Sequence, residues 1–169
     1  MDMIIRKADI SDIKDIYMIT REAFNKYALN LGLPQKVSAL KETEETIKDE
    51  FANKNILIAC LNNEAVGSIR YEIMPGNIAY ISRFAVKPTI QNNGIGKALF
   101  LAVEDALVKD NIKSVVLHTA SKITSLMHFY YSLGFYIHST TSDRGYIRAL
   151  LCKEFVQDES PDLSYVQSI

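Results

Sequence analysis

Of the 169 residues only two are cysteine, Cys60 and Cys152, and neither has a histidine or second cysteine at ligand spacing. That pattern excludes a cysteine-based metal site, and both fall in apolar runs, as small buried residues of a cytoplasmic protein do. Excess charge is missing too: a formal net charge of −1 gives no general attraction to nucleic acid or to an anionic membrane. No apolar run approaches the roughly twenty residues of a membrane span, and the N-terminus lacks the form of a signal peptide. Internal repeats are absent. The length suits one domain with a substantial core and is short for two.

What remains is an alternation of strands and helices with short links. Residues 3–7 read as a strand, and Ser11 or Asp12 can cap a helix whose Ile13, Ile16, Tyr17, Thr20, Phe24 and Tyr27 recur at helical spacing. Gly32 and Pro34 break it, and a polar stretch leads to a second helix over 43–53 with an acidic first turn. Strands at 55–61 and 65–74 form a hairpin around Asn62-Asn63-Glu64, and Pro75-Gly76-Asn77 turns the chain into a strand at 78–86. A helix at 97–108, a strand at 114–119, a helix ending at Gly134 and strands at 135–139 and 146–155 complete the order. The pattern predicts a mixed α/β domain over residues 1–156 with helices on both faces of a central sheet, and a loose polar tail over 157–169.

The segment Gln91-Asn92-Asn93-Gly94-Ile95-Gly96-Lys97-Ala98 lies between the 78–86 strand and the next helix. The first turn of a helix has N–H groups with no intrahelical partner, and its dipole favours negative charge. Gly94 and Gly96 carry no Cβ, so a phosphate can approach the main chain closely. Other phosphate loops do not fit. A Walker loop needs four residues between its glycines before Gly-Lys-Ser/Thr, and a dinucleotide fingerprint needs a third glycine where Leu99 stands.

The segment resembles the Gln/Arg-x-x-Gly-x-Gly/Ala signature of the GNAT superfamily of N-acetyltransferases. A second motif agrees in type and spacing: Phe129-Tyr130 followed by Gly134-Phe135, about thirty residues on, as Phe-Tyr-x-x-x-Gly-Phe. The resemblance covers the order of elements over residues 3–155. It implies an acyl-CoA N-acyltransferase fold with a mostly antiparallel sheet and a V-shaped splay between the 78–86 and 114–119 strands. It also implies a function, transfer of the acetyl group of acetyl-CoA to a primary amine of a small molecule or peptide, with no metal. Residues 91–98 are then the diphosphate site, and the main chain of Phe84, Ala85 and Val86 meets the pantetheine arm. A homodimer through the 146–155 strand is a further implication.

The same resemblance makes Tyr130 the general acid at the coenzyme sulfur. A phenol stays protonated at neutral pH, and Tyr131 points about 100° away on the helix. The family's usual carboxylate or histidine base falls at Tyr80 and Ser82, neither of which is such a group. Ser82 is the candidate for a water relay to Glu72, and His118 and His128 also titrate near neutrality. Arg83 is expected either to pair with an acidic neighbour or to line a pocket for an acidic substrate. The usual pantetheine asparagine is replaced by Ile123, leaving Ser121 or Ser125 for that contact. Asn92-Asn93 puts no charge in the loop, so Lys87, Lys97 and Lys122 are the nearest cations. Two other readings stand beside acetyl transfer to an amine: a different acyl donor or nucleophile, and a non-catalytic acyl-CoA-binding module.

Overall fold

The structure, a computed structural model, describes residues 2–156, 160–167 and 169. Its strands are β1 (Met3–Lys7), β2 (Asn55–Leu61), β3 (Glu64–Met74), β4 (Ile78–Val86), β5 (Ser114–Ala120), β6 (Tyr136–Thr141) and β7 (Arg148–Glu154). The helices are α1 (Ile13–Leu31), α2 (Glu44–Glu50), α3 (Ile95–Lys109) and α4 (Thr124–Ser132). The strands form one open sheet in the order β1-β2-β3-β4-β5-β7-β6. The β4–β5 pair is parallel, whereas β1–β2, β2–β3, β5–β7 and β6–β7 are antiparallel. The mixed, mostly antiparallel sheet is therefore as expected. The chain divides into two compact units, residues 2–71 with 83–104, and residues 72–82 with 105–169.

In the first unit, Asn62 and Asn63 both have positive φ, 50° and 66°, which is what a two-residue hairpin turn between β2 and β3 requires. One face of β2 buries Ile56 and Ile58 against Ile13 and Ile16 of α1 and Ile47 of α2. Gly67 pairs with Ala59, so it points to the opposite face. A Cβ there would lie 3.1 Å from Leu99 and 3.2 Å from Ile95. The start of α3 is thus pressed against β3, and helices cover both faces. The cap of α1 differs from expectation. Asp9 caps a short 3₁₀ turn, Ile10–Asp12, and Asp12 instead takes both guanidinium nitrogens of Arg6 at 2.8 Å. Two more 3₁₀ turns, Pro34–Lys36 and Ser38–Lys41, occupy the stretch expected to be loop.

In the second unit, β4 and β5 pair from Ile78–Ser114 to Ile81–Leu117. Ile78, Tyr80, Val116, Leu150 and Cys152 form a core cluster with Leu163 and Val166. This corrects the reading of the last residues as a loose tail. Leu163 and Val166 are buried, and Arg148 Nη2 donates to the Ile169 carbonyl at 2.7 Å. Polar composition hid two apolar residues at helical-turn spacing. Residues 157–159 and 168 of that tail lie outside the described residues. β7, the strand through which a homodimer was expected, has β5 on one side and β6 on the other, so both of its hydrogen-bonding edges are paired within the chain.

Candidate functional site

Candidate residues fall in both units. In the first unit β4 runs to Val86 and is followed by a 3₁₀ turn at Pro88–Ile90. The loop then makes two left-handed steps, Asn92 at φ 71° and Gly94 at φ 77°, before α3 begins at Ile95. Asn93 Nδ2 donates to the Ile90 carbonyl at 3.2 Å, and Ala98 N–H to Gly94 O at 3.0 Å. The N–H groups of Ile95, Gly96 and Lys97 belong to the first helical turn and have no acceptor one turn back within the helix. Gly94 is exposed, and nothing lies within 4 Å of where its Cβ would be. Backbone donors at a helix start, beside a glycine with open space where a side chain would stand, suit an anion of diphosphate size.

Gln91 ties this loop down at two points. Its Nε2 donates to the Val86 carbonyl at 3.3 Å, and its Oε1 accepts from Lys26 Nζ at 2.7 Å. Val86 is therefore engaged on its carbonyl side, and Lys87 N–H bonds Val66 O at 2.9 Å. Ala85 and Val86 are buried, and the Phe84 ring meets Phe100 edge-on at 4.9 Å. Of the cations named from sequence, Lys87 is held by Glu64 at 2.6 Å and Lys97 is exposed beside the loop. Lys26, on α1 and 65 residues from Gln91, was not visible in the sequence because no local pattern couples the two.

A buried ion cluster, also missed, stands in the same unit. Arg70 is fully buried; its Nη2 and Nη1 donate to Glu42 Oε1 and Oε2 at 2.6 and 2.9 Å, and Nη1 to Glu50 at 2.7 Å. Arg83 Nε donates to Glu42 Oε2 at 2.9 Å. Of the two roles left open for Arg83, pairing with an acidic neighbour is present through Glu42. The signal for Arg70 was a charge set between the apolar Ile69 and Tyr71 of β3.

In the second unit Tyr130 is buried while Tyr131 is exposed, which gives the two tyrosines different environments on α4. The motif around Tyr130 has a structural cause. Gly134, at φ 92°, ends α4, its N–H bonding Tyr131 O at 3.0 Å and Phe135 N–H bonding Tyr130 O at 3.1 Å. These are the paired bonds of a Schellman cap, and the Phe135 ring packs on Tyr130 at 6.0 Å. Burial raises the Tyr130 hydroxyl above the ordinary phenol range. Ser125 is exposed in the first turn of α4.

Tyr80 and Ser82, the positions expected to face the chemistry, lie on β4. The Tyr80 hydroxyl is 2.7 Å from His118 Nδ1. Burial, and then the charge of Arg148, pushes the imidazole down to about 4, so His118 is neutral at pH 7. Its Nε2 is buried with no hydrogen-bond partner. His128 is exposed, and Glu72 is half-buried. Among the described residues no group of three His, Cys, Asp or Glu side chains could hold a metal ion, and no helix could cross a membrane.

The model of the acetyltransferase (GNAT) family matches residues 12–135, which include the loop, Tyr130 and the Gly134-Phe135 cap. The chain belongs to the GNAT family. Membership makes it an acyltransferase by class. This GNAT protein is similar in fold to several solved structures. PaiA N-acetyltransferase from Thermoplasma acidophilum, in complex with coenzyme A, superposes with a TM-score of 0.82 at 22% identity, over 92% of this chain and 100% of that one. The ribosomal-protein-S18-alanine N-acetyltransferase from Escherichia coli gives 0.75 at 17% identity, over 94% and 97%. The yncA protein from Salmonella typhimurium, with its cofactor acetyl-CoA, gives 0.69 at 18% identity, over 95% and 98%. No curated protein matches significantly.

Proposed function

We propose that this GNAT protein is an N-acetyltransferase that moves the acetyl group of acetyl-CoA to a primary amine of a small molecule or peptide, by direct attack in a ternary complex. The observation that carries this is the loop: left-handed Asn92 and Gly94 leading into α3, inside the segment that the family model matches. Two structures of similar fold hold coenzyme A or acetyl-CoA, which supports the same cosubstrate here. Gln91, Asn92, Asn93, Gly94, Ile95, Gly96, Lys97 and Ala98 hold its diphosphate. Phe84, Ala85 and Val86 contact the pantetheine arm by main chain, and Ser125 by hydroxyl.

The coenzyme supplies an acetyl thioester. Attack by the neutral amine forms the C–N bond and breaks the C–S bond, and Tyr130 gives its hydroxyl proton to the departing sulfur. A raised phenol pKa keeps that proton in place at neutral pH. Ser82 relays the amine's surplus proton through water to the Glu72 carboxylate. A cytoplasmic location agrees with two unpaired cysteines. A second reading, an acyl-CoA-binding module without turnover, is favoured by one observation: Tyr80 and Ser82 place no carboxylate where the family's base falls.

Thiol release from acetyl-CoA across a panel of polyamines, amino acids, aminoglycosides and peptide N-termini tests the assignment. Amine-dependent release is the expected result. Coenzyme binding without release for any amine would favour the binding module, and light scattering reads any homodimer in the same samples.

A further inference from the structure

Arg83 has a geometry that neutralising Glu42 does not require. Its φ of 50° puts a non-glycine residue in the left-handed region within a strand, a strained conformation that persists only where surroundings impose it. Its partner Glu42 is already bound at both oxygens by Arg70, which is itself fully buried and also bonded to Glu50. Glu50 takes Lys54 as well, at 3.0 Å. Glu42 therefore stands fixed, and it receives from Arg83 only the Nε donor.

Arg6 gives both terminal nitrogens to Asp12, and Arg70 gives both to Glu42 and one of them to Glu50 as well. Arg83 does not. Its Nη1–Nη2 edge has no acceptor among the described residues, and its side chain is 26% exposed. Glu42 thus holds the Nε side and leaves a planar, two-nitrogen fork on a partly exposed side chain. That fork matches the two oxygens of a carboxylate, and the guanidinium is charged at every working pH. The residue directly follows Ser82.

We propose that Arg83 determines acceptor specificity by binding a carboxylate carried on the acceptor amine, so that the acceptors are amino acids or peptides rather than polyamines or aminoglycosides. The inference rests on the acetyltransferase reading, in which the β4 segment from Ser82 onward lines the reaction site. Glu42 and Arg70 are positioning residues for this contact.

The test compares each amine acid with its carboxamide. Glycine, longer ω-amino acids, glutamate and short peptides are assayed against their amides by thiol release from acetyl-CoA. At least one acid should exceed its amide about tenfold or more in kcat/KM, as expected for one charge-assisted bidentate contact. Arg83→Gln should remove that preference by raising KM for the acid alone, and Arg83→Lys should restore part of it. A merely structural arginine would change acid and amide alike. Equal rates for acid and amide throughout, or a preference that survives Arg83→Gln, would overturn the proposal.

If Arg83→Gln does not fold, the unmodified protein still decides the matter by its acid–amide ratio. If no amine turns over, calorimetric titration of the N-acetylated acids against their amides, with coenzyme A present, replaces the assay; no preference for the acid then overturns it. Failure of acetyl-CoA itself to bind would defeat the acetyltransferase reading. Binding without discrimination defeats this inference alone.

Discussion

Tyr130 and Tyr131 differ by one position and by their whole environment: one is buried and ring-packed against Phe129 and Phe135, the other is 45% exposed. Tyr130→Phe removes one hydroxyl and keeps that packing. Coenzyme affinity should hold while kcat falls by about 10²–10⁴-fold, the usual share of a general acid, and Tyr131→Phe should cost little. Steady-state kinetics of both variants check this, and damage from Tyr131→Phe instead would move the role by one residue. His118 gives a different prediction. Its folded pKa, down to about 4, lies below its unfolded value of about 6.5, so the unfolded chain binds the extra proton between them. Stability should therefore fall as pH drops from about 6.5 to 4 and lose no more on this account below 4. Asp143, Arg144 and Arg148 are the charges that act on the imidazole. Thermal melts across that range should show a shallower slope for His118→Phe than for the unmodified protein. The tyrosine was legible in the sequence because its motif is local. The Tyr80–His118 bond was not, because it depends on the register of two strands 38 residues apart.

Hydrophobic period and turn residues were enough to order the strands and helices, since most of them bury one face or one stripe. The 3₁₀ turns at Pro34–Lys36, Ser38–Lys41 and Pro88–Ile90 escaped, being too short to show a period. So did the link from Lys26 on α1 to Gln91, which sets how the loop sits before α3. The ion cluster joins the loop before α2, α2 itself, β3 and β4 through one buried guanidinium. Arg70→Ala would leave the Glu42 and Glu50 carboxylates short of their main partner in a site from which water is largely excluded. It should destabilise the fold by about 3–5 kcal/mol. Urea unfolding measures this, and a loss under about 1 kcal/mol would mean the carboxylates find water instead.

At the scale of the whole chain, Leu163 and Val166 of the C-terminal segment belong to the core of the second unit, while residues such as Tyr165 stay exposed. Leu163 packs with Ile78, Tyr80, Val116 and Leu150, and Leu163→Ala should cost about 2–5 kcal/mol. Denaturant unfolding reads it, and a neutral substitution would return the segment to a loose tail. Two residues in a polar stretch are below what a period analysis resolves, which is why the sequence pattern alone left this segment unplaced. The central claim concerns the loop at 91–98, and its most direct test is calorimetric titration of acetyl-CoA into the unmodified protein and into Gly96→Val. A side chain at residue 96 lies in the helical turn whose N–H groups we propose hold the diphosphate, so the folded variant should bind about 10²-fold more weakly. Equal affinity in the two proteins, or no binding by the unmodified one, would contradict the account.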